Sequence, residues 1–421
     1  MSEVSSVEWK TLAEFHKLFD SPEECIENIQ PKFEQKCGIC ISTSNFYVKY
    51  ASCLLLSIIE NASPNNFYDI LVLTTDMSVE NQYIIKELTQ SDNISIRIFN
   101  IDEEIRKYSF YTWSHFTPNT YYRLAIPQLF KNFERVLYLD SDTIVNTDIN
   151  KIFDIDFEDC FVAACKDTHV LAYCNGVHLE QLEYNTNVLK LPNPTEYFQM
   201  GVSLYNISKF NKDFTDKSLL EIASKAKFRW LDQDVLNVQF HGQIKELPIK
   251  WNVMIMNKPP HIDEYHLPEP YLQQYREARM NPGIIHYCGG VYYRHPFLPD
   301  MGRFFWKYAL MSPFFEEIII RMLVLKLPKH QAQNNELDCL RNEFQKTHFP
   351  NINRRFESNE YNARLLYILS NSVQFIIRKY LCKFRAALAF GKKKEKYRRK
   401  YEELRKLLKD AKLFKKRLKH V

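Results

Sequence analysis

The chain has 421 residues, 45% apolar and 25% charged, with 30 Phe, 25 Tyr and 5 Trp, and only 9 Gly. This is enough apolar surface for a large buried core, and it excludes a disordered chain, a disulfide miniprotein and a glycine-rich repeat. Net charge is +5, yet residues 378–421 hold 19 Lys and Arg against 4 Asp and Glu, which leaves residues 1–377 acidic at −10. An acidic body repels nucleic acid phosphates, so no nucleic acid partner is expected and any polyanion must meet the basic end.

In chain order, residues 1–36 read as a polar, helical lead-in. Residues 37–42 (CGICIS) are a continuous apolar strand, and Tyr47, Tyr50, Ala51, Leu54, Leu55 and Ile58 then recur at helical spacing across 46–60. Strands follow at 69–74, 94–99 and 135–139, with helices at 79–89 and 120–128 between them, although Pro127 falls inside the last pattern. Further strands are expected at 160–165, 200–205 and 284–287, and helices at 215–226, 234–240 and 303–310. Strands that are apolar throughout and alternate with helices predict an α/β sandwich with a mostly parallel central sheet and a ligand at the carboxyl ends of the strands. Beyond residue 313 the pattern is helical only. Four segments result: the lead-in, a domain over 37–300, a helical region over 301–375, and a basic amphipathic tail over 376–421.

Ten cysteines are present, but the opening MSEVSSVEWK carries neither a basic start nor an apolar run. The expectation is a reducing cytoplasm, with Cys37 and Cys40 as core thiols and not a redox pair. No membrane span is expected, because charges such as Arg364, Arg378 and Lys379 interrupt the apolar run at 361–390. In the tail, Tyr397, Tyr401, Leu404, Leu408 and Ala411 form a stripe that either lies on the anionic inner face of the cell membrane or pairs with a second copy in a homo-oligomer. The anchor is the preferred reading, which makes the protein peripheral on that face.

Asp140-Ser141-Asp142 follows the strand RVLYL directly. Paired carboxylates at a strand end supply hard oxygen ligands for a divalent cation, and the cation can neutralise a diphosphate. Asp154-Ile155-Asp156 and Asp232-Gln233-Asp234 repeat the spacing, and a surface turn explains any one copy; the preceding strand sets the first apart. His286 ends the strand IIHY, ahead of Gly289 and Gly290. An imidazole beside two carboxylates suits manganese, whereas alone it reads as a core histidine.

The order of TYYRLAIPQLF, RVLYLDSDTIV, VAACKD, YFQMGVSLYNISKF, WLDQDVLN and IIHYCGG resembles the retaining glycosyltransferases of family 8, over roughly residues 37–300. The resemblance implies a GT-A fold and a UDP-hexose donor, galactose or glucose, with a glycan or glycolipid acceptor such as lipopolysaccharide. It implies that Asp140, Asp142 and His286 hold Mn2+ (or Mg2+) and that Arg123 lies near the donor. Asp167 and Gln199 correspond to donor-sugar contacts, Asp232 to a hydroxyl contact, Gln233 to the amide beside the anomeric carbon, and Gly289 to a close approach to the diphosphate. Catalysis then falls to Gln233 and Asp232.

The departures from the family pattern are specific. The acidic residue that usually ends the first strand is missing, so Ser44 or Asn45 must meet the uracil. Gln199-Met200-Gly201 replaces Asn-x-Gly. The late Lys-Pro-Trp is lost, so Arg294 or His295 must take the phosphate. The alternatives are a non-catalytic scaffold of the same fold, favoured by those losses, and a protein O-glycosyltransferase; a nucleotidyltransferase lacks its glycine-rich triphosphate loop.

Overall fold

The computed structural model describes residues 23–113, 117–255, 266–288 and 300–324, together with Glu402 and Arg405. Gly289, Arg294, His295, most of the lead-in and nearly all of the basic tail lie outside them. One compact unit extends to Phe315, and a second comprises Glu316–Val421. Among the described residues no helix is long and apolar enough to cross a membrane.

Among the described residues ten strands form two sheets, both within the first unit. The larger runs β3 (Ile94–Asn100), β2 (Tyr68–Thr74), β1 (Cys37–Ser42), β4 (Arg135–Leu139), β7 (Phe198–Asn206), β6 (Val162–Lys166) and β8 (Ile244–Glu246). Only β7 is reversed, antiparallel to both β4 and β6, so the sheet is mostly parallel as its apolar strands require. All seven residues of β2 are buried. The smaller sheet places β10 (Ile284–His286) between β5 (Thr143–Val145) and β9 (Val253–Met254).

Side-chain alternation divides the core into two layers. In β4, Val136 and Tyr138 enter the layer that holds Tyr121, Leu124 and Val235, while Leu137 and Leu139 enter the layer beneath the Val48–Asn61 helix. That helix also receives the Gly302–Ala309 helix: Asn61 Nδ2 donates to Tyr308 Oη at 2.8 Å, and Ser52 Oγ lies 2.7 Å from Ser312 Oγ.

Two expectations change. Residues 23–36 are not helical; they form an irregular strap with turns at 27–28 and 34–35, joined to the edge strand β3 at its start, where Glu24 N donates to Ile98 O at 2.8 Å. The buried Arg97 fixes the strap, gripping Asp69 through Nε (2.9 Å) and Nη2 (2.7 Å) while Nη2 also reaches Gln30 O (2.9 Å). The segment expected as a helix at 120–128 is a 3₁₀ helix, Pro118–Ala125, followed by one α-turn, Ile126–Leu129. Pro127 has no N–H to offer the Arg123 carbonyl, which instead accepts from Ile126 N–H, the i+3 pattern of the tighter helix.

The thiols of Cys37 and Cys40 are free, and burial raises Cys37 to about 11 and Cys40 well above its ordinary value. Both therefore stay protonated and unreactive at neutral pH.

Candidate active site

Asp140 continues the parity of Val136 and Tyr138, so it leaves the carboxyl end of β4 toward Arg123. Arg123 Nη2 donates to Asp140 Oδ1 at 2.7 Å, and Tyr138 Oη donates to the same oxygen at 3.1 Å. The other Arg123 edges are spent on Met200 O (2.5 Å) and on Asp232 Oδ2, which lies 2.8 Å from Nε as an ion pair without hydrogen-bond alignment. Its guanidinium carbon sits 4.4 Å from the centre of the Tyr138 ring. Arg123 thus joins the DSD carboxylate to the WLDQDVLN helix, Leu231–Gln239. Burial raises the Asp232 carboxyl to about 7, with Arg123 opposing and Asp140 reinforcing the shift.

The smaller sheet delivers His286. Antiparallel pairing sets His286 against Thr143, and Tyr287 N donates to Asp142 O at 3.0 Å, which clips the end of β10 to the DSD turn. His286 Nε2 then lies 3.2 Å from Asp142 Oδ1 and 3.7 Å from Asp140 Oδ2. One ligand atom from each of the three residues falls within 4.8 Å of the others. Gly201 of β7 forms the floor, because a Cβ there would collide with Asp140 Oδ2 and His286 Cε1.

A relay of amides sets the imidazole tautomer. Gly201 N–H donates to Gln199 Oε1 at 2.7 Å, and a backbone N–H can only donate, so that atom is an acceptor. The Asn252 atom 2.6 Å from it must then be Nδ2, which turns Asn252 Oδ1 toward His286 Nδ1 at 3.0 Å. Nδ1 must therefore carry hydrogen, and Nε2 faces the two carboxylates. Gln199, Asn252 and His286 are all buried. Two anionic oxygens and an imidazole nitrogen whose tautomer is fixed from behind fit a divalent cation, with the second shell such ligands require. Burial lowers the His286 pKa, but Cys288 and Asp142 outweigh it and hold the ring well above its ordinary value.

Beside this cluster, Asp167 caps the Thr168–Ala172 helix, Oδ1 accepting from His169 N and Val170 N, each at 3.0 Å. Its Oδ2 accepts from Gln233 Nε2 at 3.0 Å, and Gln233 Oε1 accepts from Met200 N at 3.1 Å. The Gln233 amide is thus held at both ends. Asp234 is internal, accepting from Tyr184 Oη at 2.7 Å and from Trp230 N at 2.8 Å.

Most of the residues singled out from sequence meet here: Arg123, Asp140, Asp142, Asp167, Gln199, Asp232, Gln233 and His286. Gln199 spends its carbonyl oxygen on the relay. Ser44 and Asn45 lie at the carboxyl end of β1, where Asn45 Oδ1 is engaged by Ser78 N (2.9 Å) and Asn81 Nδ2 (2.7 Å). Asn252 was not foreseen, nor was Asp76, an exposed carboxylate beyond β2 that accepts from Asn45 N at 2.9 Å. Neither carries a local sequence signal. Tyr138 had one, since alternation in RVLYL puts it on the face of Asp140.

Residues 38–291 match Glycosyl transferase family 8. The chain belongs to that family. It is 28% identical over 256 residues to General stress protein A of Bacillus subtilis, covering 58% of this chain and 82% of that protein. It is also 28% identical over 233 residues to a lipopolysaccharide 1,3-galactosyltransferase of Salmonella typhimurium, covering 53% of this chain and 61% of that enzyme. Among solved structures, the bifunctional glycosyltransferase WbbM in its apo form is similar, with TM-score 0.62, 29% identity, and coverage of 70% of this chain and 53% of WbbM. An active-site mutant of LgtC shares the fold at TM-score 0.52 and 22% identity, covering 66% of this chain and 96% of LgtC. The family 8 chain therefore has the GT-A architecture, and its catalytic-domain relatives include lipopolysaccharide glycosyltransferases.

Proposed function

We propose that this family 8 protein transfers a hexose, galactose or glucose, from a UDP-sugar to a hydroxyl of a lipopolysaccharide or other surface glycan, with retention at the anomeric carbon. The observation that carries the reading is the convergence of Asp140, Asp142 and His286 with Nε2 directed at the carboxylates, beside the doubly held amide of Gln233. Mn2+ or Mg2+ bound by those three residues would supply positive charge to the diphosphate as it leaves.

The chain's own residues do the rest. Arg123 fixes one Asp140 oxygen and leaves the other turned to His286, so the carboxylate is oriented before any ligand arrives. The Gln233 amide, pinned by Asp167 and Met200 N, presents an immobile dipole beside which an oxocarbenium-like sugar is steadied. Asp232, whose carboxyl titrates near neutrality, is suited to a hydroxyl contact. In the front-face course favoured here, the acceptor hydroxyl gives its proton to a phosphate oxygen of the departing UDP while its oxygen bonds to the anomeric carbon. Ser44 and Asn45 at the end of β1 are assigned to the uracil, and Gly289, Arg294 and His295 to the diphosphate. The basic tail is assigned to an anionic membrane surface.

The test is a panel of UDP-hexoses with Mn2+, scored by UDP release and by the anomeric configuration of the product in proton NMR. Release from UDP-galactose or UDP-glucose with a retained configuration supports the reading. No release from any donor would leave an inert scaffold, and an inverted product would refute the front-face course.

A further inference from the structure

A cavity of about 210 Å3 opens where β6 ends and the chain enters β7. Its wall is formed by Lys166 from β6, Asn175 from the turn after the Thr168–Ala172 helix, the 193–196 loop, and Tyr271, which begins the Tyr271–Met280 helix. None of these residues belongs to the cluster around Asp140. The backbone step from Lys166 to Asp167 nonetheless carries the chain directly from this cavity to the carboxylate that holds Gln233.

Lys166 is the telling residue. It is 7% exposed, its ammonium rests 4.0 Å from the centre of the Phe198 ring, and its nearest carboxylate oxygen, Glu246 Oε2, is 3.9 Å away. Among the described residues its Nζ makes no hydrogen bond, so a nearly buried cation lines the cavity with all its N–H donors unspent. Those donors face the cavity, where water or a ligand can accept from them. Asn193, exposed at the cavity rim, adds a donor that reaches the opening, because its Oδ1 is occupied by Thr195 Oγ1 at 2.9 Å while its Nδ2 has no acceptor among the described residues. On the accepting side, Asn175 donates to His266 O at 2.8 Å and keeps Oδ1 available, and Glu196 contributes a carboxylate.

The charge balance decides the class of ligand. Glu196 in the wall and Glu246 behind Lys166 offset the single ammonium, which disfavours an anion. Several unspent donors and acceptors next to a tyrosine ring and the Pro268 ring match the hydroxyls and apolar face of a pyranose.

We propose that this cavity is a saccharide subsite that holds one neutral hexose unit of the acceptor glycan, with Lys166, Asn193 and Asn175 hydrogen-bonding its hydroxyls and Tyr271 against its apolar face. The acceptor role rests on the function proposed above; the saccharide binding does not.

The experiment titrates methyl β-D-galactopyranoside, methyl α-D-glucopyranoside and glucuronate into the full chain without metal or donor, followed by saturation-transfer NMR. Wild type should bind at least one methyl glycoside, and no less tightly than glucuronate. Lys166→Met and, independently, Asn193→Ala should weaken that binding by about fivefold, the value of one net hydrogen bond, while Asp142→Asn leaves it unchanged. Equal binding by wild type and both variants, no binding by wild type at tens of millimolar, or tighter binding of glucuronate would each overturn the proposal. Donor hydrolysis measured without acceptor keeps the two readings apart. Hydrolysis with no glycoside binding removes the subsite alone, and glycoside binding with no hydrolysis removes the transferase reading and the acceptor role with it.

Discussion

Replacing Asn252 by Ala removes in one step the acceptor for His286 Nδ1–H and the donor to Gln199 Oε1, bonds of 3.0 and 2.6 Å. Both lie in a buried region, where each lost bond costs about 1 kcal/mol net and an orphaned donor costs more. With no acceptor behind it, the imidazole is free to carry hydrogen on Nε2, the nitrogen that faces Asp140 and Asp142. Cation affinity should therefore fall about 10- to 100-fold, or about 1.4 to 2.7 kcal/mol, the range for an outer-shell partner of a ligating histidine. Calorimetric titration of Mn2+ into wild type, Asn252→Ala and Asn252→Asp measures this, with circular dichroism as a check on folding. Asp keeps an acceptor for Nδ1–H and should retain more affinity than Ala. An Asn252→Ala protein that folds and binds Mn2+ within about twofold of wild type would refute the relay.

Three further outcomes are expected from the same geometry. Gly201→Ala puts a methyl group into Asp140 Oδ2 and His286 Cε1, so Mn2+ binding should be lost while the circular dichroism spectrum is kept; retained affinity would mean that Gly201 does not floor the site. Arg123→Met leaves Asp140 and Asp232 without their shared, buried guanidinium and should cost about 3–5 kcal/mol in urea denaturation; a cost below about 1 kcal/mol would contradict the role given to that ion pair. Because burial lifts Asp232 to about 7 from an unfolded value near 4, its stabilising margin over Asp232→Asn is full below about pH 4 and is lost as pH rises through 7. Urea titrations of metal-free protein across that window measure the margin, and one that grows with pH would reverse the assignment.

Much of this architecture is legible in the chain because its strands are buried on both faces and so read as uninterrupted apolar runs. CGICIS and RVLYL are strands over the same residues expected from sequence, and Asp69–Thr74 lengthens by one to begin at Tyr68. Thr143–Val145, Ile244–Glu246 and Val253–Met254 escape because two or three residues cannot display a period. The lead-in misleads for a different reason. Its polar residues look helical in isolation, whereas Arg97 and Asp69, well downstream in the chain, bind Gln30 O and Lys32 N and tie the segment to the sheet in an irregular course. At the site, Asp140, Asp142 and His286 could be named in advance since each ends or follows an apolar strand. Asn252 could not, because its role exists only once β9 lies beside β10 and turns it toward His286. The same holds for Lys166, which reads as an ordinary strand-end lysine until the 193–196 loop and Tyr271 join it around one cavity.

The most direct test of the central claim is UDP release from UDP-galactose and UDP-glucose by wild type and Asp140→Ala, each with Mn2+ and with EDTA. The account predicts release by wild type with Mn2+ alone, and none from wild type in EDTA or from Asp140→Ala in either condition. Release that persists in EDTA, or that Asp140→Ala supports at the wild-type rate, would contradict it.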